Sequence, residues 1–167
     1  MPATKPGARR PARHAGPRLV LSVQYALAPG ALPGAAALRR WAKATLERDV
    51  RATIRFVGNR EGRTLNSRFR GKDHATNVLT FVYDDATPLE GDLVLCAPVL
   101  RQEARTQGKT LADHCAHLVV HGMLHLQGHD HGTARAARAM EARETALLAA
   151  LGVADPYAGA RAPRPLT

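Results

Sequence analysis

At 167 residues, with 45% hydrophobic and 23% charged side chains, the chain suits a single domain with a sizeable core. No stretch approaches the roughly 20 apolar residues of a membrane span, and none near the start has the form of a signal peptide, so a cytoplasmic protein without membrane contact is expected. The formal net charge of +10 suggests a polyanionic partner, but Lys5, Arg9, Arg10, Arg13, Arg18, Arg161 and Arg164 lie in the end segments, and setting those seven aside leaves +3 for the body.

Residues 1–17, with Pro2, Pro6, Pro11 and Pro17, predict a disordered basic tail able to add salt-sensitive attraction to RNA. The domain is expected over 18–157, and a flexible tail over 158–167. Leu19 to Tyr25 reads as a first strand, with Leu19, Leu21, Val23 and Tyr25 on one side. Ala35 to Arg48 reads as an amphipathic helix carrying Leu38, Trp41 and Leu46. Val50 to Val57 alternates as a second strand, and Arg60 to Phe69 predicts a short helix. Asn77 to Tyr83 and Asp92 to Ala97 predict two further strands, largely buried. Three helices follow, at about 98–107, 110–127 and 133–151, with Thr110 and Thr133 as N-caps of the last two. The expectation is an α+β fold: a single layered domain whose four-stranded mixed sheet packs with helices around a central metal-binding helix. Cys96 and Cys115 lie among apolar residues and predict buried free thiols in a reducing compartment.

The chemistry concentrates in one segment. Of eight histidines, six fall between positions 114 and 131. His121 and His125 are four residues apart, so both imidazoles leave one helix face at ligand-sharing distance. Gly128 can take the left-handed conformation that ends a helix, and the returning chain would bring His131 over that pair. Three imidazoles, with a fourth position left to water, describe a catalytic zinc site. His117 and His121 form a competing pair, but His117 and His125 lie about 12 Å apart along the axis and cannot share an ion. His129 and Asp130 are substitutes for His131 as third ligand. His114 and His117 read as packing or orienting residues. Met140, Leu147, Leu148 and Leu151 form the core stripe of the last helix. Glu141 and Glu144 read as solvated or ion-paired, with either able to accept from a ligand imidazole.

The spacing His-x3-His-x2-Gly-x2-His is also that of metzincin proteases, which carry a glutamate base directly after the first histidine. Here that position is Gly122, which argues against peptide hydrolysis. A metal-activated water attacking a phosphodiester is the natural remaining chemistry. Arg68, Arg70 and Lys72 stand together beside Gly71, and arginine matches phosphate oxygens with a planar fork of donors. Such a turn is ordinarily just solvated, so this segment does not decide the matter alone. Aromatic residues make up only 4% of the chain, so recognition by repeated base stacking is expected to be weak.

Together these segments resemble the YbeY family, single-strand-specific endoribonucleases of bacterial ribosomal RNA maturation. The resemblance rests on Leu65-Asn66, Arg70-Gly71-Lys72-Asp73, Thr76-Asn77-Val78-Leu79-Thr80-Phe81 and Gly91-Asp92-Leu93-Val94-Leu95. It continues through His117-Leu118-Val119-Val120-His121-Gly122-Met123-Leu124-His125-Leu126-Gln127-Gly128 and Asp130-His131. It closes on Met140-Glu141, Leu151-Gly152 and Asp155-Pro156-Tyr157. It implies that His121, His125 and His131 hold one Zn²⁺ and that Arg70 is the arginine implicated in nuclease activity. It further implies 16S rRNA 3′-end maturation and ribosome quality control, with single-stranded ribosomal RNA as substrate. The ribosome or its proteins become candidate partners, and no DNA is expected. The family usually carries tyrosine where this chain has His129. Three imidazoles would also accept other divalent metals, copper more tightly. On the residues alone, a noncatalytic metal-stabilised assembly factor and a metalloprotease-like hydrolase with a base from elsewhere stay open.

Overall fold

Alternation along Val50–Val57 sets the frame. Val50, Ala52, Ile54 and Phe56 are buried while Arg51 stays in water, as a period of two requires. The structure, a computed structural model, describes residues 15–161. Its elements are β1 (Leu19–Tyr25), α1 (Ala35–Ala44), β2 (Val50–Val57), α2 (Asn59–Arg70), β3 (Val78–Asp84), β4 (Leu89–Cys96), α3 (Ala97–Thr106), α4 (Leu111–Leu126), α5 (Ala134–Ala150) and a short α6 (Ala158–Arg161). The sheet order is β1-β2-β4-β3, with β1–β2 and β2–β4 parallel and β3 antiparallel to β4. The expected α+β layered domain with a four-stranded mixed sheet is what forms.

β4 sits between β2 and β3, and its last four residues are all buried. Leu93 and Leu95 join the main core with Leu38, Trp41, Ile54, Phe56, Met123 and Leu124. Val94 and Cys96, pointing to the other face, form a smaller cluster with Val57 and Leu79, against which Leu65 of α2 packs. The sheet is therefore covered on both sides, with α4 on the main-core side.

Three boundaries differ from the sequence expectation by more than one residue. α1 stops at Ala44 rather than Arg48. Gln127, just past α4, donates from Nε2 to the Thr45 carbonyl (3.1 Å) and accepts at Oε1 from the Glu47 backbone N–H (2.8 Å), drawing the chain out of the helix. β4 begins at Leu89, three residues early, because Leu89 to Gly91 pair with Val50 to Ala52 of β2. Residues 158–161 form a helical turn where a flexible tail is expected, and just ahead of it Asp155 Oδ1 accepts from the Tyr157 N–H (2.8 Å). Of the expected N-terminal tail, residues 15–17 carry no helix or strand and residues 1–14 lie outside the described residues, as do residues 162–167.

Cys96 and Cys115 are free and buried. Burial raises both thiols, that of Cys115 to about 12. Neither is expected to react with a water-soluble thiol reagent in the native chain, whereas both should titrate in denaturant. Rapid labelling of the folded protein would contradict this packing. Among the described residues, no helix is long and apolar enough to cross a membrane.

Candidate metal centre

α4 is built to lie close on the sheet. Thr110 caps its start by accepting from the Asp113 N–H (3.1 Å), and Leu118, Val119, Met123, Leu124 and Leu126 are buried along it. Two glycines permit the approach. A Cβ on Gly122 would stand 2.7 Å from Leu93 Cδ2, and one on Gly91 would stand 2.5 Å from the Phe81 carbonyl oxygen and 2.8 Å from Leu126 Cδ2. The position that holds the base in a metzincin thus faces the sheet, not a cleft. Gly122→Glu is expected to destabilise the fold by more than about 3 kcal/mol, through overpacking and an unpaired buried charge, and to create no peptidase. Chemical denaturation checks this; a stable, proteolytic variant would contradict it.

Pressing Gly122 to the sheet leaves His121 and His125 on the flank of α4, both half-buried. Gly128 then takes a positive φ of 97°, and the His129 N–H returns to the Leu124 carbonyl (3.1 Å). Asp130 Oδ1 accepts from the N–H groups of His131 (2.7 Å) and Gly132 (3.0 Å), tightening the reversal. Asp130 therefore shapes the turn. The His131 ring arrives 5.7 Å from that of His121 and 5.5 Å from that of His125, whose own centroids are 6.3 Å apart. The three residues singled out in the sequence are brought together.

The donor chemistry fits a metal. His121 donates from Nδ1 to Glu144 Oε1 (2.6 Å), and His125 donates from Nδ1 to the His129 carbonyl (2.9 Å). Nε2 of each ring is left as the nitrogen without a hydrogen-bond partner among the described residues. An outer acceptor on one ring nitrogen is how ligating imidazoles are oriented and made more basic. Tetrahedral Zn–N bonds of 2.0–2.1 Å imply ring centroids about 5 Å apart. The rings here are somewhat wider, and among the described residues no three His, Cys, Asp or Glu side chains already meet as a closed ligand set.

Glu144 is the residue whose role the sequence leaves undecided. It is 1% exposed and accepts from His121, from His117 Nε2 (3.2 Å) and from the Tyr157 hydroxyl. Burial alone would raise its carboxyl, but the hydrogen bonds donated by His117, His121 and Tyr157 outweigh it and hold the group down at about 2. Burial and the Glu144 carboxylate push the Tyr157 hydroxyl well above its ordinary value. The signal for Glu144 in the sequence is position: Met140, Glu144, Leu147, Leu148 and Leu151 share one helical stripe, so Glu144 is a carboxylate on an apolar face. Tyr157 offers no comparable signal. Glu141, the other carboxylate of α5 considered from the sequence, lines a neighbouring cavity of about 200 Å³ with His121, His131, Ala137, Met140, Glu144 and Tyr157.

The other histidines take supporting places. His114 is buried and paired through Nε2 with Glu103 (2.7 Å), which also accepts from Asn77 at the head of β3. His129 directs Nε2 to both Glu47 oxygens at 3.0 Å, so its ring is engaged away from the triad while its carbonyl serves His125. Arg143 completes that cluster on Glu47 (2.9 Å). Arg70 ends α2 and is exposed; it does not line the cavity beside His121, and its side chain has no hydrogen-bond or ion-pair partner among the described residues. A larger depression of about 770 Å³ opens elsewhere, beside Arg18, Arg39, Lys43 and Arg51, and contains none of these site residues.

A family model described as Endoribonuclease YbeY matches residues 35–152. The chain belongs to the endoribonuclease YbeY family. Endoribonuclease YbeY of Aromatoleum aromaticum is 55% identical over 147 residues, covering 86% of this chain and 96% of that one. The protein of the same name from Nitrosomonas europaea is 50% identical over 157 residues, 94% of each, and that of Methylibium petroleiphilum is 53% identical over 152 residues, 90% and 99%. A solution structure of TM1509 from Thermotoga maritima shares the fold, with a TM-score of 0.50 at 22% identity over 80% of this chain and 92% of that one. The YbeY match runs from α1 through α5 and so contains Arg70, the three histidines and Glu144.

Proposed function

We propose that this chain is a zinc-dependent, single-strand-specific endoribonuclease acting in 16S ribosomal RNA 3′-end maturation and ribosome quality control in the cytoplasm, with His121, His125 and His131 as metal ligands. As a member of the endoribonuclease YbeY family it is a nuclease, a hydrolase of ester bonds. The observation that carries the metal-dependent reading is the convergence of the three imidazoles, two of them with Nδ1 already committed to an oxygen acceptor. A bound zinc ion would polarise the scissile phosphate and lower the pKa of a coordinated water.

The remaining work falls to the chain's own groups. Glu144 and the His129 carbonyl hold the ligand rings in one tautomer and orientation. Arg70, exposed and without an ion-pair partner among the described residues, is free to clamp a nonbridging phosphate oxygen and offset charge that builds during cleavage. Lys72 and the basic end segments extend contact along the strand. Support for the ribosomal substrate comes from the family resemblance, and ribosomal proteins are the candidate partners.

The test is cleavage of a labelled single-stranded RNA by zinc-loaded protein, with Arg70→Glu prepared in parallel. Wild type is expected to cut, and Arg70→Glu to keep its zinc while losing at least about 100-fold in rate. A charge-reversed variant that cuts at the wild-type rate would remove Arg70 from the scheme. Zinc-loaded wild type that leaves RNA intact, both alone and with ribosomes, would leave the metal a structural role.

A further inference from the structure

We propose that Phe69, propped by Phe81 and flanked by Arg68, Arg70 and Lys72, is a stacking platform for one base of a single-stranded RNA. The inference rests on the RNA-cleaving function proposed above and names how that substrate is held.

Leu65 and Phe69 lie one turn apart on the face of α2 that meets the sheet. Leu65 is half-buried in the smaller core cluster, as a packing stripe requires. Phe69 is 59% exposed. Its ring is nonetheless held: the Phe81 ring on edge strand β3 lies 5.1 Å away at 73°, an edge-to-face contact. A large aromatic fixed in orientation and left more than half open has surface to offer a ligand.

The surrounding charge says which ligand. The loop after α2 folds back through a two-point pair between Arg63 and Asp73 (2.8 and 2.9 Å) and through Asn66 Nδ2 donating to the His74 carbonyl (2.6 Å). Asp73, the one acid of that loop, is thereby satisfied by Arg63. The side chains of Arg68, Arg70 and Lys72 keep no hydrogen-bond or ion-pair partner among the described residues. An open ring on a segment carrying three cations without an ion-pair partner among the described residues complements a polymer of flat bases and phosphates. An apolar protein face would leave those cations unpaired, and a duplex has its bases already stacked on each other. A single strand satisfies both features. One platform, rather than a series, also agrees with an aromatic content of 4%.

Binding of the full-length chain to a short, fluorescently labelled, 2′-O-methyl single strand tests the assignment, using one strand with all its bases and one abasic along its length. Phe69→Leu keeps a hydrocarbon contact with Phe81 and is expected to weaken binding between about fivefold and a hundredfold, the loss that one base–aromatic stack produces. The slope of log affinity against log salt should stay unchanged, since no phosphate contact is lost, whereas Arg68→Gln should lower it by about 0.7. Phe69→Trp should restore wild-type affinity. Wild type should prefer the base-bearing strand, and Phe69→Leu should lose most of that preference. Equal binding of both strands by wild type, or unchanged affinity in Phe69→Leu, overturns the platform and leaves the RNA-cleaving reading standing. Absence of wild-type binding to either strand likewise overturns the platform, while the RNA-cleaving reading is decided by the cleavage test with ribosomes.

Discussion

A His125→Ala chain is expected to lose bound zinc and RNA cleavage together while keeping its fold. His125 is half-buried on the flank of α4, and its packing contribution is small beside that of Met123, Leu124 and Leu126, each at most 2% exposed. What it contributes is a nitrogen. With Nδ1 held by the His129 carbonyl, Nε2 is the atom offered to a metal, and His121 and His131 alone make an incomplete set. Losing a ligand should exceed the roughly 10- to 100-fold loss of metal affinity typical when an outer orienting partner is removed. Zinc content after dialysis and cleavage of a labelled single strand, measured on one preparation, check the result. A variant that has lost zinc and still cuts at the wild-type rate would sink the metal-dependent scheme. Equal thermal stability of wild type and variant, both stripped of metal, would confirm that the loss is local.

Replacing Glu144 should cost both stability and metal. In Glu144→Ala the His117 and His121 imidazoles and the Tyr157 hydroxyl lose one shared, buried acceptor. Breaking a buried pair from one side costs about 3–5 kcal/mol, and at about 2–4 °C per kcal/mol for a chain of this size the melting temperature should fall by roughly 10 °C. Glu144→Gln preserves shape and removes charge, so it should recover part of the stability but less of the metal affinity. The two readouts separate the roles: thermal melts of metal-free protein report the buried network, and zinc titration reports the orientation of His121. If Glu144→Ala melts with wild type and binds zinc equally well, the carboxylate has neither role.

Much of the architecture is legible because it follows periodicity. The alternation of β2, the buried run of β4, and the caps Thr110 and Thr133 stand in the residues, and both threonines accept from the backbone N–H three positions on. β3, expected to be largely buried, is an edge strand that buries only Leu79. The misplaced ends have tertiary causes. Ala35 to Arg48 is amphipathic throughout, but Gln127, about 80 positions away, captures the chain at Thr45 and Glu47. The strand expected from Asp92 in fact takes in Gly91, where Leu126 and the Phe81 carbonyl leave no space for a side chain. No local pattern announces either contact.

The same division holds at the site. The spacing of His121, His125, Gly128 and His131 by itself determined that three imidazoles could meet, because one helical turn and one glycine reversal are local geometry. A glycine at 122, where a metzincin carries its glutamate, likewise argues against a protease from residue identity alone. Only the tertiary structure decided which nitrogen the His121 ring presents, since Glu144 comes from α5. It alone showed that Gly122 faces Leu93, that Glu47 holds the His129 ring, and that Arg63 takes Asp73 and leaves Arg68, Arg70 and Lys72 without an ion-pair partner among the described residues. Ligand spacing is set by covalent chain geometry over a few residues. The partners that orient those ligands come from segments brought together by burial of the core, which a short stretch of sequence does not encode.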